Sequence, residues 1–427
     1  MWWRERQVPE LALGSMPTPL VLDGPLDVGA LERALQILVD RHEVLRTRFP
    51  LTAEGPVQEI LPAHELTLPT LDLFSRSADR REAELRAVVD EDAATPFHLE
   101  SDPPVRAKLV RIDAYRHCLA LNVHHIACDS WSIKLLFAEL AQLYELVLGG
   151  REIALPPPPL HYADYAVWQR AGDGKTAEDD LRFWRGRLRE LPEAYDLPLT
   201  APRPPKRSFR GAIHYFEVPG DAAARLRELA AGQGMTPFMA MLAVAVAWAR
   251  GVARSDDVVI TTTVANRPTP DQRAIVGYFT NIVPIRVDTR DDPAFVHLLP
   301  RVRAELVEAF LAQQTPFERI VELAAEASGT APRSLGQIMF AYDNSLAAPI
   351  VAGDLTIRPL EGGDPGVSNR DLTLLLDERE AAVAGLLFHD TDVLDASTAA
   401  ELADRFQSTL RAVLRDPSAR LSAIVAG

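Results

Sequence analysis

Two proline-dense segments, at 155–160 and 198–205, lie near the middle of a 427-residue chain and restrict its architecture more than any other feature. Proline fixes φ and lacks a backbone N–H, so such runs break helix and sheet alike. A chain of this length exceeds what one ordinary core organises, and two domains are the default. The two segments bracket a helical pair around Tyr165 and Trp184, and the region reads as a hinge between two halves. One lobe is expected over residues 1–172 and a second over 173–427.

Hydrophobic periodicity fills in each half. The first half predicts a helix at 30–46, strands at 105–112 and 117–123, and a helix at 132–147. The second predicts a strand at 213–218, helices at 222–231 and 237–250, and strands at 257–264 and 282–287. A helix at 295–313, strands at 337–342 and 371–376, and a helix at 397–415 follow. Strands mixed with long helices in both halves imply two α/β sandwiches.

Composition narrows the function classes. Apolar content of 47% with 25% charged residues is that of a soluble globular protein. The apolar run 239–249 ends at Arg250, is too short to span a bilayer, and reads as a buried helix. No charged-then-apolar secretory leader opens the chain, so a cytoplasmic protein without membrane attachment is expected. A formal net charge of −15 with no Lys/Arg run argues against nucleic-acid binding. Two cysteines, Cys118 and Cys128, give no disulfide framework. Cys128 reads as a small buried filler rather than a thiol nucleophile.

Residues 124–132 read His-His-Ile-Ala-Cys-Asp-Ser-Trp-Ser, where a strand stops and the chain turns toward a helix. Such a junction exposes reactive side chains on a rigid frame. An imidazole accepts a proton near neutral pH. Neighbours in a strand face opposite ways, so of His124 and His125 one should be active and the other structural. Asp129 can either orient an imidazole or pair with an arginine to lock the loop. No HExxH or CxxC accompanies the pair, and a zinc site wants three or four ligands, so no metal is expected.

This nonapeptide resembles the HHxxxDG motif of condensation domains in nonribosomal peptide synthetases, shared more loosely with chloramphenicol acetyltransferase and other CoA-dependent acyltransferases. Further blocks resemble the family's in order. They are Arg41-His42-Glu43-Val44-Leu45-Arg46-Thr47-Arg48-Phe49, Pro96-Phe97-His98-Leu99 with Val105-Arg106-Ala107, and Tyr162-Ala163-Asp164-Tyr165-Ala166-Val167-Trp168-Gln169. Phe209-Arg210-Gly211, Ala265-Asn266-Arg267 with Val276-Gly277-Tyr278-Phe279-Thr280-Asn281, and Pro316-Phe317-Glu318-Arg319-Ile320-Val321 complete the set. The resemblance covers essentially the whole chain. Three positions depart from it. Ser130 stands where glycine is usual, Ala312 where a histidine is usual, and the chain opens at Met1-Trp2-Trp3, inside the family's first motif. If position 130 needs a positive φ, serine costs on the order of 1 kcal/mol there.

The resemblance implies two chloramphenicol-acetyltransferase-like α/β lobes in a V-shaped pseudo-dimer, with a central tunnel. It implies attack of an acceptor aminoacyl amine on a donor acyl or peptidyl thioester. Both would ride on phosphopantetheine arms of donor and acceptor peptidyl carrier proteins, with adenylation and carrier domains of the synthetase as further partners. This chain would bind no cofactor of its own. His125 is the implied proton acceptor or amine-positioning group, His124 a shaper of the loop, and Asp129 the partner of an arginine, Arg46 first and Arg106 second. Trp131 and Ser132 fit the peptide-bond-forming branch, and Asn281 and Arg286 are implied to line or brace the tunnel. The arginines at 182, 185, 187 and 189 are a candidate carrier-docking patch, against the plainer reading of a solvated helix face. Two rival readings share the fold: a stand-alone acyltransferase with a diffusible acceptor, and a non-catalytic recruitment domain.

Overall fold

The computed structural model describes residues 1–153, 155–173, 178–344, 348–360, 363–379 and 382–425. It is a mixed α/β chain of two compact units. Unit 1 comprises Met1–Gly174, Arg267–Phe279 and Ser345–Val367, and unit 2 comprises the stretches between and after these. The chain is therefore not divided by a single cut at 172/173, because two later stretches belong with the first unit.

Unit 1 is built on one sheet, in the order Ile350–Ala352, Leu355–Pro359, Leu20–Asp23, Arg116–His124, Val105–Arg111, Thr70–Asp72. Ser15–Pro17 also pairs with Arg116–His124, placing Ser15 opposite His124. Strand Arg116–His124 is buried along nearly its whole length, as a central strand between two partners must be. Helices Val28–Arg41 and Ser130–Leu148 cover the sheet with Ala34, Leu35, Leu38, Leu136, Phe137 and Leu140 at i, i+3, i+4 spacing. The helix expected at 30–46 stops at Arg41. His42 is extended and hydrogen-bonded to Glu139, and Glu43–Arg46 form a separate 3-10 turn.

Unit 2 carries a six-stranded mixed sheet, ordered Gly211–Val218, Val383–Asp390, Leu372–Glu378, Ile338–Asp343, Asp257–Val264, Asn281–Asp288. Helix Pro237–Ala253 is buried on every side, from Ala240 to Ala249, as its unbroken apolar run anticipated. Helices Phe295–Leu311 and Ala396–Arg415 pack on it. No described helix is long and apolar enough to cross a membrane.

Candidate active site

The site grows from the end of strand Arg116–His124 and the start of helix Ser130–Leu148. The alternation expected of the pair is visible in their partners. His124 is 1% exposed, and its Nε2 lies 2.5 Å from Glu5 Oε1. His125 is only partly buried, and its Nδ1 lies 2.7 Å from the Cys128 carbonyl. A carbonyl only accepts, so Nδ1 carries the proton and Nε2 is left as the acceptor. Burial lowers the His125 pKa below its ordinary 6.5, opposed by the Cys128 carbonyl and the Asp129 charge. The ring is therefore neutral at neutral pH, with a bare nitrogen. The Tyr278 ring meets it edge to face, with centroids 5.0 Å apart.

Asp129 is the fully buried N-cap of the following helix. It accepts from Ser132 N at 2.9 Å and Phe279 N at 3.0 Å. Its arginine is Arg267, whose Nη2 lies 3.0 and 3.1 Å from the two carboxylate oxygens. Neither expected partner is used. Arg46 donates to Leu61 O and Glu43, and Arg106 donates to Asp92 across 2.8 Å. Both stay engaged within their own part of the unit, while Arg267 arrives from 138 residues away in sequence. Arg267 also donates to Gln272 O and Ile275 O at 2.6 Å, to Ser132 Oγ at 2.8 Å, and lies over the Phe279 ring. Burial lowers its pKa and Asp129 raises it. The site's aspartate is thus a structural staple whose named partners all lie inside unit 1.

Asn266 makes this possible. It adopts the left-handed conformation at φ 52, which asparagine tolerates, just before Arg267. At the far end of the excursion, a Cβ on Gly277 would run into the Tyr162 ring, so only glycine lets the backbone lie against it. Tyr162 OH donates to Tyr278 O at 2.7 Å, which fixes the residue facing His125. Ser132 Oγ donates to Gly277 O at 2.8 Å, and Trp131 Nε1 to Arg273 O at 2.9 Å.

Ser130 is the first residue of the helix and is not among the residues with positive φ. The backbone strain expected there does not exist. Asn281 and Arg286 brace unit 2. Asn281 Nδ2 donates to Gln313 O and Thr315 O at 2.7 and 2.6 Å, ahead of helix Phe317–Ser328. Arg286 grips Asp257 with two bonds and also donates to the carbonyls of Arg187, Arg189 and Glu190. Both thiols are buried. Cys118 is pushed up to about 12 and Cys128 well above its ordinary value, so neither is a nucleophile at neutral pH. The arginines on helix Glu178–Arg187 are already partnered: Arg182 by Asp179, Arg185 by Glu178, Arg187 by Glu305 and Glu308.

The sequence matches the condensation-domain family from residue 2 to residue 426. This chain belongs to that family. Condensation domains of nonribosomal peptide synthetases form amide bonds, an acyl transfer. Chondramide synthase cmdD of Chondromyces crocatus is 34% identical over 96% of the condensation domain, which spans 10% of that protein. Phosphinothricin tripeptide synthetase PhsC of Streptomyces viridochromogenes is also 34% identical, over 99% of the domain, which spans 39% of it. The X-domain from teicoplanin biosynthesis, known from a crystal structure, shares the fold at a TM-score of 0.83 and 29% identity, covering 98% of this chain and 94% of that one. It has also been solved in complex with OxyB. The mixed α/β, chloramphenicol-acetyltransferase-like fold expected from the sequence is the one these structures share.

Proposed function

We propose that this condensation domain catalyses attack of an acceptor aminoacyl amine on a donor acyl or peptidyl thioester, each carried on the phosphopantetheine arm of a peptidyl carrier protein. The observation that supports it best is His125, neutral and locked by Cys128 O with Nε2 free to accept a proton or hydrogen-bond the amine. A thioester is already activated, so positioning supplies most of the rate, ~7–11 kcal/mol for two well-oriented reactants. Proton acceptance adds about 10²–10⁴-fold. The carriers, the adenylation domains that load them and a cytoplasmic setting belong to this proposal. The test is intact mass spectrometry of two loaded carriers incubated with the protein. Condensed product on the acceptor carrier supports the reading. Equal or better kcat/KM with the same acyl group on CoA and a diffusible acceptor replaces it with a stand-alone acyltransferase.

The likeness to the teicoplanin X-domain, solved with OxyB, favours one second reading: recruitment of a partner protein without catalysis. His125 and Asp129 are both present and fully assembled, which argues for chemistry. Binding of a partner with no product from loaded carriers decides for recruitment.

A further inference from the structure

The imidazole of His125 is useful only in one tautomer, and that tautomer is set by a chain of contacts beginning at the N-terminal helix. Ile126 N donates to His124 Nδ1 at 2.9 Å. Nδ1 of His124 must therefore be bare, and the ring proton sits on Nε2, 2.5 Å from Glu5 Oε1. The Ile126 bond and the bond from Ala127 N to His124 O at 2.9 Å fold the tight turn after the strand. That turn brings the Cys128 carbonyl to within 2.7 Å of His125 Nδ1. With Nδ1 protonated and held, His125 Nε2 is bare. Swapping the tautomer of His124 would set two N–H groups against each other at Ile126 and remove the bond that shapes the turn.

Gly14 is the second support. Its carbonyl accepts from His125 N at 2.7 Å, and a Cβ on it would collide with the His124 ring and the Glu5 carboxylate. The segment thus packs bare backbone against the dyad and holds the next residue's main chain at once. A cavity of about 170 Å³, lined by Trp2, Leu11, Phe97 and Leu99, abuts Glu5 and His124. Without the carboxylate, water entering that space can donate to Nε2 as readily as accept from it, and the preference for Nε2–H then rests on the Ile126 N–H alone.

We infer that Glu5 is a positioning residue for the condensation reaction: it selects the tautomer of His124, and through the 124–128 turn the tautomer of His125, with Gly14 holding the two in register. This rests on the role given to His125 above. The test uses protein carrying ¹⁵N-labelled histidine, in which two-bond ring couplings report each tautomer, alongside the loaded-carrier assay. Glu5→Ala and Gly14→Ala are expected to bring the His125 ring into a mixture of tautomers. They are expected to lower kcat roughly 10–100-fold, within the span of a general base, with KM little changed. Glu5→Gln keeps an oxygen that accepts from Nε2–H, and is expected to retain the wild-type tautomers and kcat within about twofold. Wild-type tautomers in Glu5→Ala overturn the inference, whatever the melting temperature does. So does a Glu5→Gln variant as impaired as Glu5→Ala with its tautomers unchanged. If the wild type forms no product, the functional proposal falls, and the ring spectra still decide the tautomer relay.

Discussion

The proton on His125 Nδ1 and the depressed pKa of its ring together dictate a pH profile. The active form is the neutral imidazole, and burial moves its protonation below the ordinary 6.5. Activity in the loaded-carrier assay should therefore hold its plateau from neutral pH downward past 6.5 and fall only at lower pH. An acid limb centred above the ordinary value contradicts this. His125→Ala should abolish product while leaving the thermal melt unchanged. Asp129 acts differently. Removing it strands Arg267 in a site that is 1% exposed, and breaking a buried pair costs about 3–5 kcal/mol. Asp129→Ala and Arg267→Ala should each lower Tm by several degrees, and the double variant by less than their sum. Arg46→Ala should leave this coupling untouched. The candidate chemistry was suggested by the nonapeptide 124–132 together with the ordered blocks that resemble the condensation family. The arginine was not, because nothing local distinguishes Arg267 from Arg46 or Arg106 when the partner lies 138 residues away. The only sequence signal was the Ala265-Asn266-Arg267 block, whose asparagine marks a left-handed turn.

Helix Ser130–Leu148 was readable because its apolar stripe is regular and its cap is an aspartate. The cap also revises position 130. With ordinary helical backbone at the first residue, Ser130→Gly should bring no gain, and a stability loss of at most about 1 kcal/mol in denaturant unfolding. A rise in Tm would restore the idea of strain. The excursion Arg267–Phe279 is less forgiving. Gly277→Ala drives a methyl into the Tyr162 ring and displaces the carbonyl that accepts from both Ser132 and Arg267. It should be more damaging than Ser130→Gly, read by Tm and by loss of the Tyr278 contact to His125. Elsewhere the pattern hid elements. Helix Ala78–Ala94 buries only Leu85, Val89 and Ala93 and is otherwise charged, so it carries little periodic signal. Strand Val383–Asp390 has Gly385 inside it, which reads as a break. Leu20–Asp23 and Leu355–Pro359 are short, and they pair with each other across more than three hundred residues of sequence.

For the molecule as a whole, both free thiols sit behind packed side chains. Neither Cys118 nor Cys128 should react with a thiol reagent until the fold opens, and the onset of labelling should coincide with the unfolding transition. Fast labelling of either in the native state contradicts that burial. Of the four arginines read as a docking candidate, Arg182, Arg185 and Arg187 are paired with Asp179, Glu178, Glu305 and Glu308, and Arg189 has no such carboxylate partner among the described residues. Proline placement suggested a place for the chain to divide, because proline acts locally on the backbone. The threading of later stretches into unit 1 was not legible, since no periodicity encodes it. That threading also sets a timetable. A ribosome delivers residues in order, and when position 266 emerges Asp129 still lacks its cation. Strand Leu20–Asp23 stays uncovered along one edge until Leu355–Pro359 follows. The first unit to be translated is thus barred from finishing first, and its open edge must be kept from other nascent chains while most of the second unit is made.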